Sequence, residues 1–197
     1  MGKWQRAYLS EKKDIVFVAL NPTKESNKHR AVFCTHRTFW SILLNAGLIT
    51  HIPETDGHAP FKNCASEIFE QGLHSKFKIG FADLVEDCLE KKSSNVKVSN
   101  EHVERLIERL NSAKPKKIVL LGNKVSRSFT GKFPHLKQEW KSLSESNKRI
   151  DWEGKRIINY GRIGLIEIDD QMVEVFVMPF PGTYPLPKKH EFFKKIL

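Results

Sequence analysis

The sequence predicts an α/β fold, a three-layer sandwich in which a mostly parallel central sheet lies between two layers of helices. Three apolar runs carry this prediction, at 14–20, 77–85 and 116–122. They have strand length and contain β-branched or aromatic residues, and a helical pattern follows each of them. Strands that alternate with helices pair in parallel, so the three runs are expected to lie in one sheet.

Apolar residues at helical spacing predict the helices that cover this sheet. Ser99 is a good residue to precede a helix, because its hydroxyl can accept a hydrogen bond from a free amide of the first turn. Glycines at 47 and 72 are expected to end two of the helices. The predicted helices are 37–46, 64–71, one that begins after Ser99, 123–130, and a closing helix that carries Phe192, Phe193 and Ile196.

The remaining segments are predicted from turn residues and short apolar runs. Segments 156–158 and 164–168 are expected to form a hairpin, followed by a turn at Asp169-Asp170 and a last strand at 173–178. Four stretches without clear periodicity are predicted to be irregular: 1–13, 22–36, 50–62 and 131–149.

Length and cysteine content suggest a single domain in a reducing compartment. A chain of 197 residues with 40% apolar residues is expected to form one domain, 1–197, with a substantial core. No run of 18 apolar residues predicts a membrane span. Cys34, Cys64 and Cys88 are odd in number and lack zinc-ligand spacing. We therefore expect neither disulfide nor metal, and a location in the bacterial or archaeal cytoplasm or the eukaryotic nucleus.

The positive charge is concentrated in two segments. The net charge is +10, and residues 111–149 hold ten Lys or Arg against only Glu139 and Glu145. Residues 188–197 add four further lysines against Glu191. A localised basic face favours a phosphate-rich partner such as nucleic acid. The alternative is a solvated surface whose lysines only keep the protein soluble.

Four predicted strand ends carry distinctive residues. Pro22 has no N–H and stops the first strand, which places Asn21 at its carboxyl end. In open α/β sheets such ends meet at one edge, where ligands bind. The alternative for Asn21-Pro22 is a simple turn. The glycine-rich phosphate loops of Rossmann dehydrogenases and P-loop NTPases are absent. The four ends are Leu20-Asn21-Pro22, Phe81-Ala82-Asp83, Leu121-Gly122-Asn123-Lys124 and Pro179-Phe180-Pro181-Gly182.

These segments resemble the uracil-DNA glycosylase superfamily, most closely its mismatch-specific (uracil/thymine) branch. Ala19-Leu20-Asn21-Pro22 resembles the first motif of that branch, and Phe33 lies twelve residues after Asn21, where the branch has a base-stacking aromatic. The segment from His36 to Leu48 resembles its H…R-F-W…A-G segment. Residues 81–85 and 118–122 match the ends of its second and third strands, and residues 177–182 occupy the place of its second motif. The likeness covers about 14–197.

The resemblance implies a monomeric, monofunctional DNA glycosylase of base excision repair. Such an enzyme flips a base out of single-stranded or duplex DNA and hydrolyses its N-glycosidic bond without metal or cofactor. The substrate would be uracil or another deaminated or damaged base. By resemblance, Asn21 positions the attacking water and Phe33 stacks on the base. The carbonyl of the Asn21 amide can orient the water, and its NH2 can face the base or sugar. Backbone groups near Leu20 and Phe33 would read the base edge.

The second motif departs from the pattern of the family. Phe180 stands where the branch has Asn or His, and Gly182 stands in place of Ser. Phe180 is expected to wall the base pocket or to stack on a modified base. DNA contacts are expected at the end of the third strand and after the second motif. Tyr184 or Leu186 would be the wedge that fills the vacated stack, and Thr183, Lys188, Lys189 and Lys124 would contact DNA.

Asp83 is the one carboxylate predicted at this edge. Some members of the family that the sequence resembles use an acidic residue to activate the water, so the resemblance makes Asp83 a candidate general base. The alternatives are a helix cap or a salt bridge. His36 is expected either to contact the phosphate or sugar of DNA or to make a structural hydrogen bond. Two other functions stay open: a nucleic-acid-binding protein of this fold without catalysis, which Phe180 and Gly182 favour, and an enzyme that acts on free nucleosides or nucleotides.

Overall fold

A five-stranded mixed sheet forms the centre of the computed structural model, which describes residues 9, 12–29, 32–33, 36–50, 77–146, 149–150, 156–157, 160–181 and 189–197. The described strands are β1 (Ile15–Ala19), β2 (Ile79–Asp83), β3 (Lys117–Leu121), β4 (Arg149–Ile150), β5 (Arg156–Ile157), β6 (Gly161–Ile168) and β7 (Gln171–Met178). The central sheet has the order β2-β1-β3-β7-β6. Its first four strands are parallel and β6 is antiparallel, which confirms the predicted α/β fold.

Helices cover both faces of this sheet. The described helices are α1 (Lys24–His29), α2 (Arg37–Asn45), α3 (Asn100–Ala113), α4 (Asn123–Gly131), α5 (Pro134–Ser146) and α6 (Lys189–Lys194). A short 3-10 turn lies at Ser93–Asn95. The predicted starts of α2, α3 and α4 are confirmed to within a residue. The Ser99 N–H donates to His102 Nδ1 at 3.0 Å, which satisfies one backbone group at the start of α3.

Alternation along the strands divides the core into two layers. Phe17 and Ala19 of β1 belong to the apolar cluster that contains Phe39 of α2 and Phe193 of α6. Their neighbours Val16, Val18 and Leu20 belong to the opposite cluster, with residues of α3, α4 and α5. Because successive side chains of a strand point to opposite faces, β1 is buried on both sides, which explains its continuous apolar sequence.

The predicted loop 22–36 contains α1, so that part of the prediction is wrong. Thr23 precedes the helix, and its Oγ1 accepts a hydrogen bond from the Ser26 N–H at 3.0 Å. This is a side-chain cap of the kind that starts helices. The sequence KESNKH of α1 has no apolar stripe, so its periodicity gave no sign of a helix.

The prediction that segment 131–149 is irregular is also wrong, because most of this segment forms helix α5. Pro134 is the first residue of this helix, a position where the missing N–H of proline costs nothing. Leu136 and Trp140 lie four residues apart and are buried against the sheet. Lysines at intermediate positions hid this spacing in the sequence, although they lie on the outer face of the helix.

The predicted hairpin of 156–158 with 164–168 is not formed. β6 pairs with β7, while β5 pairs with β4 in a separate two-stranded sheet. Asp169 and Asp170 connect β6 to β7, both with positive φ, at 49° and 59°. Two successive residues with positive φ match the twist of a tight hairpin. The predicted turn at Asp169-Asp170 is therefore the two-residue loop of a hairpin between β6 and β7.

The predicted loop 50–62 lies almost wholly outside the described residues, and the predicted helix 64–71 lies entirely outside them. Gly47, with φ of +78°, follows the end of α2, and its amide bonds to Leu44 O at 2.9 Å, as expected for a helix-ending glycine. Within the described part of the chain, no helix has the length and apolar content that crossing a membrane requires.

Candidate active site

The ends of β1 and β2 are joined by hydrogen bonds beyond the last paired residues. Ala19 is in register with Asp83, and the amides of Leu84 and Val85 donate to the carbonyls of Ala19 and Leu20 at 2.9 and 2.8 Å. The two strands therefore leave the sheet together. Asn21 and Asp83 consequently lie at the same carboxyl edge, where both line one cavity.

The side-chain amide of Asn21 has a fixed orientation. The two hydrogens of its NH2 are shared among three backbone carbonyls, with Nδ2 at 3.2 Å from Pro22 O, 3.1 Å from Cys88 O and 2.9 Å from Glu90 O. Because all three partners are acceptors, the NH2 must face them. The oxygen Oδ1 is left as the polar atom that the amide offers to the cavity. The prediction that the NH2 faces the base or sugar is therefore wrong, because that group holds the segment after β2.

The segment 84–95 that accepts these bonds is also held from the far side. Lys124, near the start of α4, donates from Nζ to Ser93 O at 2.6 Å. Asn95 Nδ2 lies 3.4 Å from the Glu90 carboxylate within the segment. Lys124 was predicted to contact DNA, and that role stays a prediction. In this structure, its ammonium fastens the segment that orients Asn21.

Phe33 lies in the wall of the cavity with an unusual backbone. Its φ is +50°, a left-handed conformation that costs energy for a bulky residue. The Phe33 carbonyl accepts hydrogen bonds from the His36 amide at 2.9 Å and Trp40 Nε1 at 3.3 Å, and these hold the turn. Its ring stacks on Phe39, with centroids 4.1 Å apart. One face of Phe33 is thus already covered by the protein.

Phe180 closes the cavity at the end of β7. Its ring lies 6.4 Å from that of Phe33 and meets the His36 ring edge-on at 5.9 Å. Gly122 lies behind it, with φ of +85°, and a Cβ at Gly122 would lie 3.3 Å from Phe180 Cβ. The glycine amide donates to Met178 O at 2.9 Å. The expectation that Phe180 forms a pocket wall agrees with this position.

The cavity is small and mostly apolar. Its volume is about 40 Å³, room for a few water molecules. The polar groups in its wall come from three places: the β1 end and the α1 cap, the residue before α2, and the β2 end. The lining residues are Ala19, Asn21, Pro22, Thr23, Ser26, Val32, Phe33, His36, Phe81, Ala82, Asp83 and Phe180.

His36 enters the cavity wall between two aromatic rings, Phe33 and Phe180. Burial lowers the pKa of its imidazole below the ordinary 6.5, so the ring is neutral at neutral pH. Sequence reasoning did not connect His36 with Phe180, because 144 positions separate them. A histidine three residues before Phe39-Trp40 was the only local signal.

Asp83 is buried at the end of β2, with 8% of its surface exposed. Its backbone carbonyl accepts a hydrogen bond from Arg109 Nη2 at 2.8 Å. Arg109, on α3, also forms an ion pair with Glu86. Sequence reasoning missed Arg109 because nothing near it in the chain marks it as a partner of a strand end.

Leu20 is not among the residues that line the cavity, and the prediction that its backbone helps to read the base stays a prediction. Its side chain packs into the apolar cluster on the α3 face, because strand alternation turns it away from Ala19 and Asn21. Its carbonyl accepts the Val85 amide. The backbone of Leu20 therefore joins the two strand ends through one of the two lone pairs of its carbonyl oxygen.

Among the predicted DNA contacts, Lys189 is described and most of the others are not. Lys189 is the first residue of α6, and burial lowers the pKa of its ammonium. Gly182, Thr183, Tyr184, Leu186 and Lys188 lie outside the described residues, and their roles stay predictions.

Part of the predicted basic face is neutralised by acidic partners. Lys114 pairs with Asp169 at 2.7 Å, Lys116 with Asp14 at 2.8 Å, and Lys132 with Glu104 at 2.6 Å. The positive charge of 111–149 is therefore weaker as a surface feature than the count of lysines and arginines suggests. Within the described residues, no three or more His, Cys, Asp or Glu side chains are grouped so as to hold a metal ion.

Comparison with known proteins agrees with this geometry. The comparison with curated proteins gives no match. The family model of the uracil DNA glycosylase superfamily matches residues 7–197, which is nearly the whole chain. This match includes both strand ends that carry Asn21 and Asp83, and the end of β7 that carries Phe180. The chain therefore belongs to the uracil-DNA glycosylase superfamily.

Proposed function

We propose that this protein is a monofunctional DNA glycosylase that removes uracil or another deaminated or damaged base, and that it is closest to the mismatch-specific branch. The orientation of Asn21 is the main support. Its NH2 is used by three carbonyls, so Oδ1 is the atom that can accept a hydrogen bond from a water in the cavity. Asp83 lines the same cavity, so a water held in this way would share the cavity with its carboxylate.

In the proposed reaction this water attacks C1′ of the flipped nucleotide. The bond between C1′ and the base nitrogen breaks, its electron pair leaves with the base, and a proton from the water passes to the Asp83 carboxylate. Asn21 cannot act as the base, because an amide does not take up a proton at neutral pH. Its contribution is to place the water, and a placed group of this kind lowers the barrier without rearrangement.

The aromatic walls suit a planar base. Phe33, backed by Phe39, and Phe180 offer apolar surfaces on two sides of the cavity. A nucleobase is larger than the few waters that fit in about 40 Å³, so base entry requires the walls to separate. His36 adds a neutral imidazole to the wall beside Phe180. We infer that it faces the leaving base, where a polar residue of the second motif would otherwise stand.

Oligonucleotides that each carry one altered base test this proposal. The protein is incubated with DNA containing uracil, hypoxanthine, xanthine or a thymine mismatch, and alkali then cleaves any abasic site. We expect cleavage of at least one substrate and a loss of about 100-fold in rate for Asp83→Asn, the size of a general-base contribution. No cleavage of any substrate would contradict the enzyme proposal.

A second candidate is a nucleic-acid-binding protein of this fold that lacks catalysis. Phe180 favours it, because this side chain cannot donate a hydrogen bond to a departing base. Binding of DNA without turnover would support this candidate. Action on free nucleosides would instead show little salt dependence of binding, whereas binding to DNA weakens steeply as salt rises.

A further inference from the structure

A buried ion pair lies directly behind the candidate active site. The side chains of Arg109 and Glu86 are 17% and 7% exposed. All three nitrogens of the Arg109 guanidinium have fixed acceptors. Nη1 pairs with the Glu86 carboxylate, Nη2 donates to Asp83 O at 2.8 Å, and Nε donates to Arg105 O at 3.2 Å. An arginine held at three points is a rigid connector between α3 and the end of β2.

We propose that Arg109, held by Glu86, is a positioning residue for both candidate catalytic groups and that its charge favours the ionised form of Asp83. This inference rests on the proposed roles of Asp83 and Asn21. It assigns roles to two residues outside the cavity wall: Arg109, on helix α3, and Glu86, on the segment after β2.

The positions of the two residues in the chain explain how one pair affects both groups. Arg109 bonds to the backbone of Asp83 itself. Glu86 lies three residues after Asp83 and two before Cys88, whose carbonyl accepts the Asn21 amide. The Arg109–Glu86 contact therefore fixes the first turn of the segment that orients Asn21. A shift of this segment would move Asp83 and Asn21 together.

The charged groups near Asp83 lie on its α3 side, whereas the residue on its α2 side, His36, is neutral. His36 faces the same cavity from the α2 side and is neutral at neutral pH. On the α3 side, Arg109 interacts electrostatically with both Glu86 and Asp83, and burial lowers its pKa while the two carboxylates oppose that change. Asp87, His102 and Arg105 line a second cavity of about 180 Å³ next to this pair.

The outer charges of this second cavity act weakly on Asp83. Asp87 is exposed, and its distances to His102 Nε2 and Arg105 Nη2 are 3.7 and 3.9 Å. Solvent screens such exposed contacts. Arg109 stays protonated at any ordinary pH, so its charge is constant while Asp83 titrates. Glu86 is the group that offsets this charge.

The titration of Asp83 tests this inference directly. The carboxyl carbon of Asp83 is followed by NMR across pH in the full-length protein, and the acid side of the activity profile is measured in parallel. Glu86→Gln keeps the shape of the side chain and an acceptor for Arg109 but removes the negative charge. We expect the Asp83 midpoint and the acid limb to move to lower pH. Arg109→Gln removes the positive charge and keeps the negative charge of Glu86, so it should move both to higher pH.

Exposed Glu104 provides a matched control. It lies on the same helix as Arg109 and pairs with Lys132 at the surface, so Glu104→Gln makes the same change in charge away from the site. The Asp83 midpoint should not move in this variant. Arg109→Lys keeps the charge but not the three-point contact, and we expect it to lower kcat on the order of tenfold or more, with KM for DNA and the midpoint little changed.

The outcomes separate this inference from the proposed function. An unmoved Asp83 midpoint in Glu86→Gln would overturn the inference, even in an active enzyme. A moved midpoint in a protein that cleaves no substrate would support the electrostatic role while the glycosylase proposal fails. Removal of Arg109 takes the arginine away from the Glu86 carboxylate, whose side chain is 7% exposed, and can unfold the protein. In that event Glu86→Gln decides the question, because it keeps the hydrogen bond.

Discussion

The ends of β1 and β7 face the same cavity but are built in opposite ways. At the β1 end, a polar side chain is held by three hydrogen bonds, and two further bonds join this strand to β2. At the β7 end, Phe180 is held by packing against Gly122 and by ring contacts with Phe33 and His36. The first end is oriented by directional bonds, the second by shape.

This difference assigns separate tasks to the two sides of the cavity. Directional bonds hold a dipole in place, which is what activation of a water requires. Apolar packing supplies surface for a planar ligand but little electrostatic stabilisation of a leaving group. We therefore expect changes at the β1 end to alter the rate of the chemical step, and changes at the β7 end to alter which base is accepted.

The largest expected effect comes from Asn21→Ala. Loss of the water-positioning oxygen should lower the single-turnover rate by on the order of 100-fold or more, because removal of one preorganised polar group has that effect in other enzymes. DNA affinity, measured by fluorescence anisotropy, should change little. Asn100, an exposed residue at the start of α3, provides a control, since Asn100→Ala should leave the rate unchanged. An equal loss of affinity and rate in Asn21→Ala would argue against the assignment.

Phe180→Asn tests the opposite end of the comparison. It restores a side chain that can donate a hydrogen bond to the departing base, and we expect excision of uracil to rise by roughly tenfold. Rates are compared on uracil-containing oligonucleotides. Phe180→Leu removes the ring without adding a donor and should give no gain. Equal rates of uracil excision in both variants would show that a hydrogen-bond donor at position 180 does not help the base to leave, and that only the packing of this side chain matters.

Gly122→Ala probes how tightly Phe180 is packed. The backbone at Gly122, with φ of +85°, disfavours any side chain, and the new Cβ would press on Phe180. We expect a loss of about 1 to 3 kcal/mol in the free energy of unfolding, measured by urea denaturation. Gly131→Ala is the control, because no atom lies within 4 Å of its added Cβ. Equal stability of both variants would show that Phe180 has room to move.

The smallest expected effect is the pH dependence that His36 contributes. Burial lowers its pKa in the folded state below the ordinary 6.5, so the unfolded chain binds a proton first as pH falls. The stability from the neutral ring is complete above about pH 6.5 and declines as pH drops towards the folded pKa. His36→Gln should flatten this slope in thermal melts between pH 7 and 5. An unchanged slope would mean that His36 stays solvated.

The strands and the Asn21 end were predictable because their signals are local. A continuous apolar run that stops at proline identifies β1 and its end without any knowledge of the rest of the chain. The amide orientation of Asn21 was not predictable, because it depends on carbonyls at Cys88 and Glu90, 67 and 69 residues away. The contacts of Arg109 and His36 were not predicted for the same reason, since their partners lie on other secondary-structure elements.

Errors in the fold prediction have a different origin. The helix α5 was hidden because polar residues make up most of its sequence, PHLKQEWKSLSES, while only a few apolar residues mark its buried face. The helix α1 is short and polar, and its start depends on one threonine. Position within the fold stabilises both helices more than intrinsic preference does, and a sequence pattern does not contain that information.

The contacts of Asn21 also bear on the chemical lifetime of the protein. Asparagine side chains usually deamidate when the next backbone nitrogen attacks the side-chain carbonyl carbon, and Pro22 has no N–H with which to complete that ring closure. The amide is further restrained by its three carbonyl partners. Conversion to aspartate would place a carboxylate next to those same carbonyl oxygens. The oxygens would repel it, and the side chain would lose its present position. The Asn-Pro sequence thus protects this residue against ageing while it ends the strand.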